Sequence, residues 1–466
     1  MNTPFSHTLL SILGLGFILC SCTDPKSEDY SAYFGGEIIN PKDKWILFYQ
    51  GEQLLDSINL DQNNRFFIKF DSLSSGLYSF KHDIEYQYVY FDKNDSLMIR
   101  INTLDFDESL VFCGTGDEKN NFLIEMYLKN QKDRNTMFST FDLEEESFIQ
   151  KADSSYQEIL KFYTSKKEDI QWDKEFDVIA RACIDYPYYT KKEFYPIAHR
   201  RRMMKEVEQV LSSEFYNHRK KVNFNSEELV DFWPYVQYIN TTIDNLANKE
   251  NIGFLSDSKT TLKKIQIIDS ITQNQSLKNR ISNNIAFRYL MEKEENANDN
   301  LFLEKYYQIS TDDEKKDKIK RLVKSIQNLS VTGHLPNVSL KNLEHNIVSS
   351  NSLFERKTIL YFWSVKNENH FFAVHKKLQN LIEKHPDVDV MAVNLDENFE
   401  NWKAFLNKNK LILNNPKVKH YQAADLEDIK EKWVIMRQTR ASIIDQDAKI
   451  IKGFVNIFDS TFDKQL

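Results

Sequence analysis

The stretch from Thr358 to Asp396 constrains this chain more than any other. Ile359, Leu360, Tyr361, Phe362 and Trp363 form a short apolar run of strand-forming residues. Phe371, Val374, Leu378, Leu381 and Ile382 then recur at helical spacing, which predicts a helix over roughly 371–384. A second apolar run, DVDVMAVNLD from Asp387 to Asp396, predicts another strand. Strand, helix and strand make a βαβ unit, because parallel strands need a crossover of about that length.

The loop between the first strand and the helix carries a family pattern. Phe362-Trp363-Ser364 at the end of such a strand resembles the thioredoxin-like fold of the TlpA/ResA-type, redoxin-bearing envelope lipoproteins. Those proteins carry Phe-Trp, two residues, and then W-C-x-P-C at the head of the helix. On this chain the motif's tryptophan falls on Lys366, its first cysteine on Asn367, its proline on Asn369 and its second cysteine on His370. The family's cis-proline, which faces the cysteines, falls on Thr439. A cis bond before a non-proline residue costs about 2.5–4 kcal/mol, so a trans peptide is expected there. Thiol–disulfide exchange needs a thiolate, which neither an amide nor an imidazole supplies. Both halves of the redox face are thus expected to be lost, and no catalytic residue is assigned.

The resemblance extends over about Ser330 to Leu466. Gly333, Pro336 and Leu340 match its opening segment, which is an edge strand in the family, where proline is tolerated. HYQAADLEDIKEKWVI is expected to be a late helix, with Asp425 near its start and Trp433 and Ile435 near its end. Ile443-Ile444-Asp445 opens a hairpin, with Ala448 where the family has glycine. A rebuilt site from His370, His375 and Glu368 is an alternative for a metal. Five residues of helix place the two imidazoles poorly on one face, and a solvated helix start is preferred. No metal or cofactor is expected.

Residues 1–22 resemble a lipoprotein signal peptide. An apolar stretch from Leu9 to Leu19 is too short for a span of about 20 residues. It ends in Leu19-Cys20-Ser21-Cys22, which resembles a lipobox with Cys22 as the lipid-bearing first mature residue. An ordinary cleaved signal is the alternative. Polar residues 23–30 suit a short tether. The localisation implied is the envelope of a Gram-negative bacterium, lipid-anchored and facing the periplasm.

Length predicts about three domains. The net charge of −8 argues against a nucleic-acid partner. Residues 31–116 are expected to form an all-β sandwich-like domain, since runs such as RFFIKF and YQYVYF are separated by turn residues. Phe66, Ile68 and Phe70 alternate, so one face of that strand is buried. The layout, closing in FCGTGDEKNNFL, resembles the β-domain that precedes redoxin domains in envelope lipoproteins. Asp83, Glu85 and Asp92 are read as turns and solvated edges.

Residues 117–329 are helical in pattern, with N-caps expected at Asn225-Ser226 and Asp257-Ser258. DDEKKDKIK near Thr311 is either a charged linker or a helix start. His199 to Arg202 with Lys205 make a basic cluster that could meet anionic lipid headgroups or an acidic partner. A solvated helix face paired with Glu206 and Glu208 is preferred. Tyr186, Tyr188, Tyr189, Phe194 and Tyr195 are read as helical core packed on the β-domain. Beyond Cys20 and Cys22 only Cys113 and Cys183 remain. They are either a disulfide or small buried apolar residues.

The fold expected is therefore multidomain α+β: sandwich-like domain, helical middle and a thioredoxin-like α/β domain at 330–466. The function expected is non-catalytic binding or scaffolding of an unknown protein or peptide partner. The alternatives are a thiol–disulfide oxidoreductase-family protein with residual redox or antioxidant activity, and a structural thioredoxin-like domain with function in the helices.

Overall fold

The computed structural model describes residues 31–204, 211–247, 258–292, 300–329, 333–410, 415–435, 440–459 and 462–466. The expected signal peptide with Cys22, the tether, Lys205, Glu206, Glu208, Asp257 and Thr439 lie outside the described residues. The chain divides into two compact units, Met1–Tyr188 and Tyr189–Leu466.

In the first unit eight strands form two sheets. One has the order β4 (Arg65–Phe70), β1 (Ala32–Ile39), β7 (Ser96–Asn102), β8 (Val111–Thr115). The other has the order β3 (Gln53–Asn59), β2 (Trp45–Gln50), β5 (Gly76–His82), β6 (Glu85–Phe91). The β1–β7 pair is parallel and the other pairs are antiparallel. Alternate residues point inward from each strand. Phe34, Ile38, Leu97 and Ile99 from one sheet meet Ile46, Phe48, Phe80 and Phe91 from the other in one core. Asp83 takes a left-handed turn conformation (φ 55°) and Glu85 is exposed, whereas Asp92 pairs with Lys119.

A one-turn helix, α1 (Phe106–Ser109), precedes β8. The helices α2 (Asp117–Met137), α3 (Glu145–Ile170) and the first half of α4 (Lys174–Met203) follow. The two asparagines of the closing motif join α2 to the sheets. Asn120 accepts from the Tyr90 amide (2.7 Å) and donates to the Tyr90 carbonyl (2.8 Å). Asn121 does the same at Phe112 (3.0 and 2.9 Å). Gly116 sits at φ 92°, and a Cβ there would meet the Asp95 carboxylate at 2.3 Å, so glycine is required.

The second unit begins within α4 and continues through α5 (Trp233–Ala247), α6 (Ser258–Ile271), α7 (Gln275–Glu292), α8 (Asn300–Ile309) and α9 (Asp313–Asn328). α5 starts only at Trp233, because Pro234 suits a first helical turn. Asn225 and Ser226 are therefore not its cap; Asn225 Oδ1 accepts instead from the Gln273 amide (2.7 Å). The charged run near Thr311 is a helix start, with Asp312 accepting from the Lys315 amide (2.9 Å). His199 and Arg200 are buried, contrary to a solvated face, while Arg201 and Arg202 are exposed. Tyr189 and Tyr195 are helical core, packed on Tyr238 and Phe215 of their own unit.

The rest of this unit is a seven-stranded sheet. Its order is β10 (Ile347–Ser349), β9 (Ser339–Lys341), β13 (Val418–Ala423), β12 (Val388–Asn394), β11 (Lys357–Trp363), β14 (Arg440–Ile444), β15 (Ile450–Asn456). β11 and β12 are parallel across α10 (Glu368–Lys384), as the spacing predicts. α11 (Phe399–Lys408) and α10 supply Trp402, Phe371 and Leu378 to one core. α12 (Leu426–Trp433) supplies Ile429 and Trp433 to a second core, which also takes Leu322, Ile326 and Leu329 from α9 and its end.

Two expectations need correction here. Residues His420 to Ala423 are strand, not helix; the late helix begins at Leu426, where Asp425 caps the amides of Glu427 and Asp428 (3.1 and 3.0 Å). The segment after Pro336 is not the sheet edge, because β10 pairs outside β9. Packing groups the described elements into the two units given above.

Candidate functional site

The β11–α10 loop is the site to which the sequence points. Trp363 ends β11 and is wholly buried, 4.1 Å from Phe371 and 5.4 Å from Phe405 between ring centres. Asp396, just past the neighbouring β12, ties the loop down. Its carboxylate accepts from Ser364 Oγ (2.5 Å), the Val365 amide (2.6 Å) and Asn394 Nδ2 (2.7 Å). Its carbonyl accepts from Gln422 Nε2 (2.7 Å), which links β13 to the same point.

Asn367 is the N-cap of α10, its Oδ1 accepting from the His370 amide at 3.3 Å. Asn367, Glu368 and Asn369 are exposed. His370 is half-buried in the first turn, and among the described residues neither ring nitrogen has a hydrogen-bond partner. Burial holds its pKa below the usual imidazole value. Its ring lies 6.3 Å from Phe458, edge to face.

Deeper on the same helix, His375 is buried and stacks on Phe371 (5.7 Å) and on His420 of β13 (6.4 Å). Burial, helped by His375, pushes the His420 imidazole down to about 4. His420 lies in a segment whose pattern predicts a helix, so the sequence does not bring it to this site. Asp396 escaped it too, although an acid directly after a strand parallel to β11 is a legible signal for a loop anchor.

Among the described residues no three or more His, Cys, Asp or Glu side chains form a metal-holding group, so His370, His375 and Glu368 do not converge as one. Cys113 is exposed on β8 and Cys183 is buried on α4; both are free thiols, not a disulfide. Burial pushes the Cys183 thiol up to about 12.

Residues 355–450, about a fifth of the chain, match the family model described as thioredoxin-like (Thioredoxin_8). The C-terminal domain is thioredoxin-like. No curated protein matches this chain. Solved structures similar to this chain include a thioredoxin-like protein from Bacteroides caccae, at 13% identity and TM-score 0.34. The match covers 55% of this chain and 94% of that one. A protein from Bacteroides vulgatus provisionally named a thiol-disulfide oxidoreductase matches at 17% identity and TM-score 0.26, over 29% of this chain and 94% of that one. The thioredoxin domain of a thiol-disulfide oxidoreductase from the same species matches at 17% identity and TM-score 0.21, over 27% and 89%. Likenesses this low establish neither shared activity nor shared partners. Among the described residues no helix is long and apolar enough to cross a membrane.

Proposed function

We propose that the thioredoxin-like domain is a non-catalytic binding module of a lipid-anchored envelope protein, holding a peptide or partner protein rather than exchanging disulfides. One observation carries this reading. At the head of α10, where a helix N-terminus would activate a thiolate, stand a capping amide, Asn367, and an imidazole, His370. The chain's cysteines are Cys20, Cys22, Cys113 and Cys183, and none lies in the thioredoxin-like domain. The exposed polar helix start beside the Phe458 ring offers hydrogen-bonding and apolar surface together. The lipobox-like Leu19-Cys20-Ser21-Cys22 supports the anchor, through Cys22.

The test is insulin-disulfide reduction by the full-length protein with dithiothreitol as reductant, beside the double variant N367C/H370C. The natural protein is expected to match the uncatalysed rate and the variant to exceed it at least tenfold. Turnover by the natural protein above that rate overturns the non-catalytic reading. An inert variant overturns the placement of the motif on Asn367 and His370.

A further inference from the structure

The outer face of the β3–β2–β5–β6 sheet is a trough between two ridges. Ile46 and Phe48 of β2, Tyr78 and Phe80 of β5, and Gln87 and Val89 of β6 point into the sandwich, so the residues between them stand on the outer face. The register sets these in two rows across the sheet. Tyr49, Ser79 and Tyr88 form one, and Leu47, Lys81 and Tyr86 the other. Large side chains thus flank β5 on both sides, with a small one, Ser79, between them in the first row. The flanking strands are two strand spacings apart, about 9.5 Å.

Trp45, 41% exposed, continues the ridge along β2, and its backbone is fixed from beneath. Buried His82 accepts from the Lys42 amide at Nε2 (2.9 Å), so its Nδ1 donates to the Trp45 carbonyl (3.0 Å). On the other ridge Tyr86 is 47% exposed and meets Tyr88 edge to face at 5.8 Å. Lys81 is half-buried between the ridges, and among the described residues its ammonium has no hydrogen-bond or ion-pair partner. No carboxylate stands in either row, which β3 extends with Leu54 and Ser57; Asp83 and Glu85 belong to the β5–β6 turn.

We propose that this trough binds an acidic polysaccharide, one that carries uronate carboxylates. The C–H faces of a pyranose ring stack on the electron-rich faces of Trp and Tyr. A carboxylate on that ring supplies the charge that Lys81 lacks, at a position partly out of water, where an ion pair gains more than on an open surface. Ser79 presents a hydroxyl that can donate to and accept from those of the sugar. A peptide fits less well. β5 is paired on both sides, so the trough offers no strand edge for main-chain recognition. The site lies in the first unit, and it stands or falls apart from the role of the thioredoxin-like domain.

The test is calorimetric titration of the full-length protein with oligogalacturonate and oligomannuronate, beside a neutral malto-oligosaccharide and an oligoglutamate peptide. At least one uronate chain should bind, and the neutral sugar and the peptide at least tenfold more weakly. Lys81→Met, which keeps the apolar stem, should weaken binding at least tenfold. Trp45→Ala should weaken it about tenfold, whereas Phe67→Ala on the other sheet should leave it unchanged. Binding of neither uronate overturns the site, as does undiminished binding by Lys81→Met. Equal affinity for the neutral sugar overturns the acidic ligand, and equal affinity for the peptide reduces the effect to bare charge attraction and overturns the polysaccharide.

Discussion

Glu193 shows how much one side chain can settle. It is wholly buried on α4, yet ionised. Its carboxylate accepts from His218 Nε2 (2.8 Å), Arg219 Nε and Nη2 (2.7 and 2.6 Å) and Asn245 Nδ2 (2.7 Å). Burial works against the charge, but the bonds from Arg219 and His218 win and hold it down to about 2. The folded pKa lies below the ordinary value of 4.5, so its contribution to stability is whole above that pH. It is lost as pH falls from 4.5 towards 2. Glu193→Ala leaves buried His218 and half-buried Arg219 without their shared partner and should cost about 3 kcal/mol in urea unfolding. The pH dependence of stability between 4.5 and 2 should flatten in the same variant. None of this was legible in the sequence, where Glu193 is one charge among several and its partners lie 25 to 52 positions away. Ala448 is the opposite case. It stands where the family has glycine, and its φ of 59° gives the physical reason for that preference.

At the scale of elements, what the sequence revealed was what local pattern determines. β11, α10 and β12 follow from an apolar run, a helical repeat and a second run, and all three are there. β13 was missed because Lys419, His420 and Gln422 do not look like strand. Its place is set by neighbours, with Gln422 wholly buried and bonded to the Asp396 carbonyl. The candidate site is half legible for the same reason: the loop, its helix and an acid placed after β12 can be read, but His420, on a strand with a polar pattern, cannot. Element junctions depend on equally specific contacts. Asn120→Ala would leave both the amide and the carbonyl of buried Tyr90 unpaired, at about 1–3 kcal/mol each. Thermal unfolding should show that loss, and hydrogen exchange at the Tyr90 amide should quicken. An unchanged melting temperature would mean that α2 is held to β6 by apolar packing alone.

For the whole molecule, the proposed anchor makes a claim separate from the fold. In cells, the natural chain should sediment with membranes and partition into detergent, whereas Cys22→Ser should stay in the aqueous phase. Retention of the variant in detergent would remove Cys22 as the lipid-bearing residue.

The second core of the thioredoxin-like sheet has a consequence in time. α9 lends it Leu322, Ile326 and the following Leu329, while Trp433 arrives from α12. During synthesis at roughly 5–20 residues per second, that interval of about a hundred residues lasts on the order of 5–20 s. Until the strands and then Trp433 have emerged, the greasy stripe is only partly covered. Outside that stripe α9 carries Lys316–Asp313, Lys318–Glu314 and Lys320–Asp317, pairs made within the helix itself. With Asp312 closing its first turn, this segment can hold its shape and stay wetted while the nascent chain catches up.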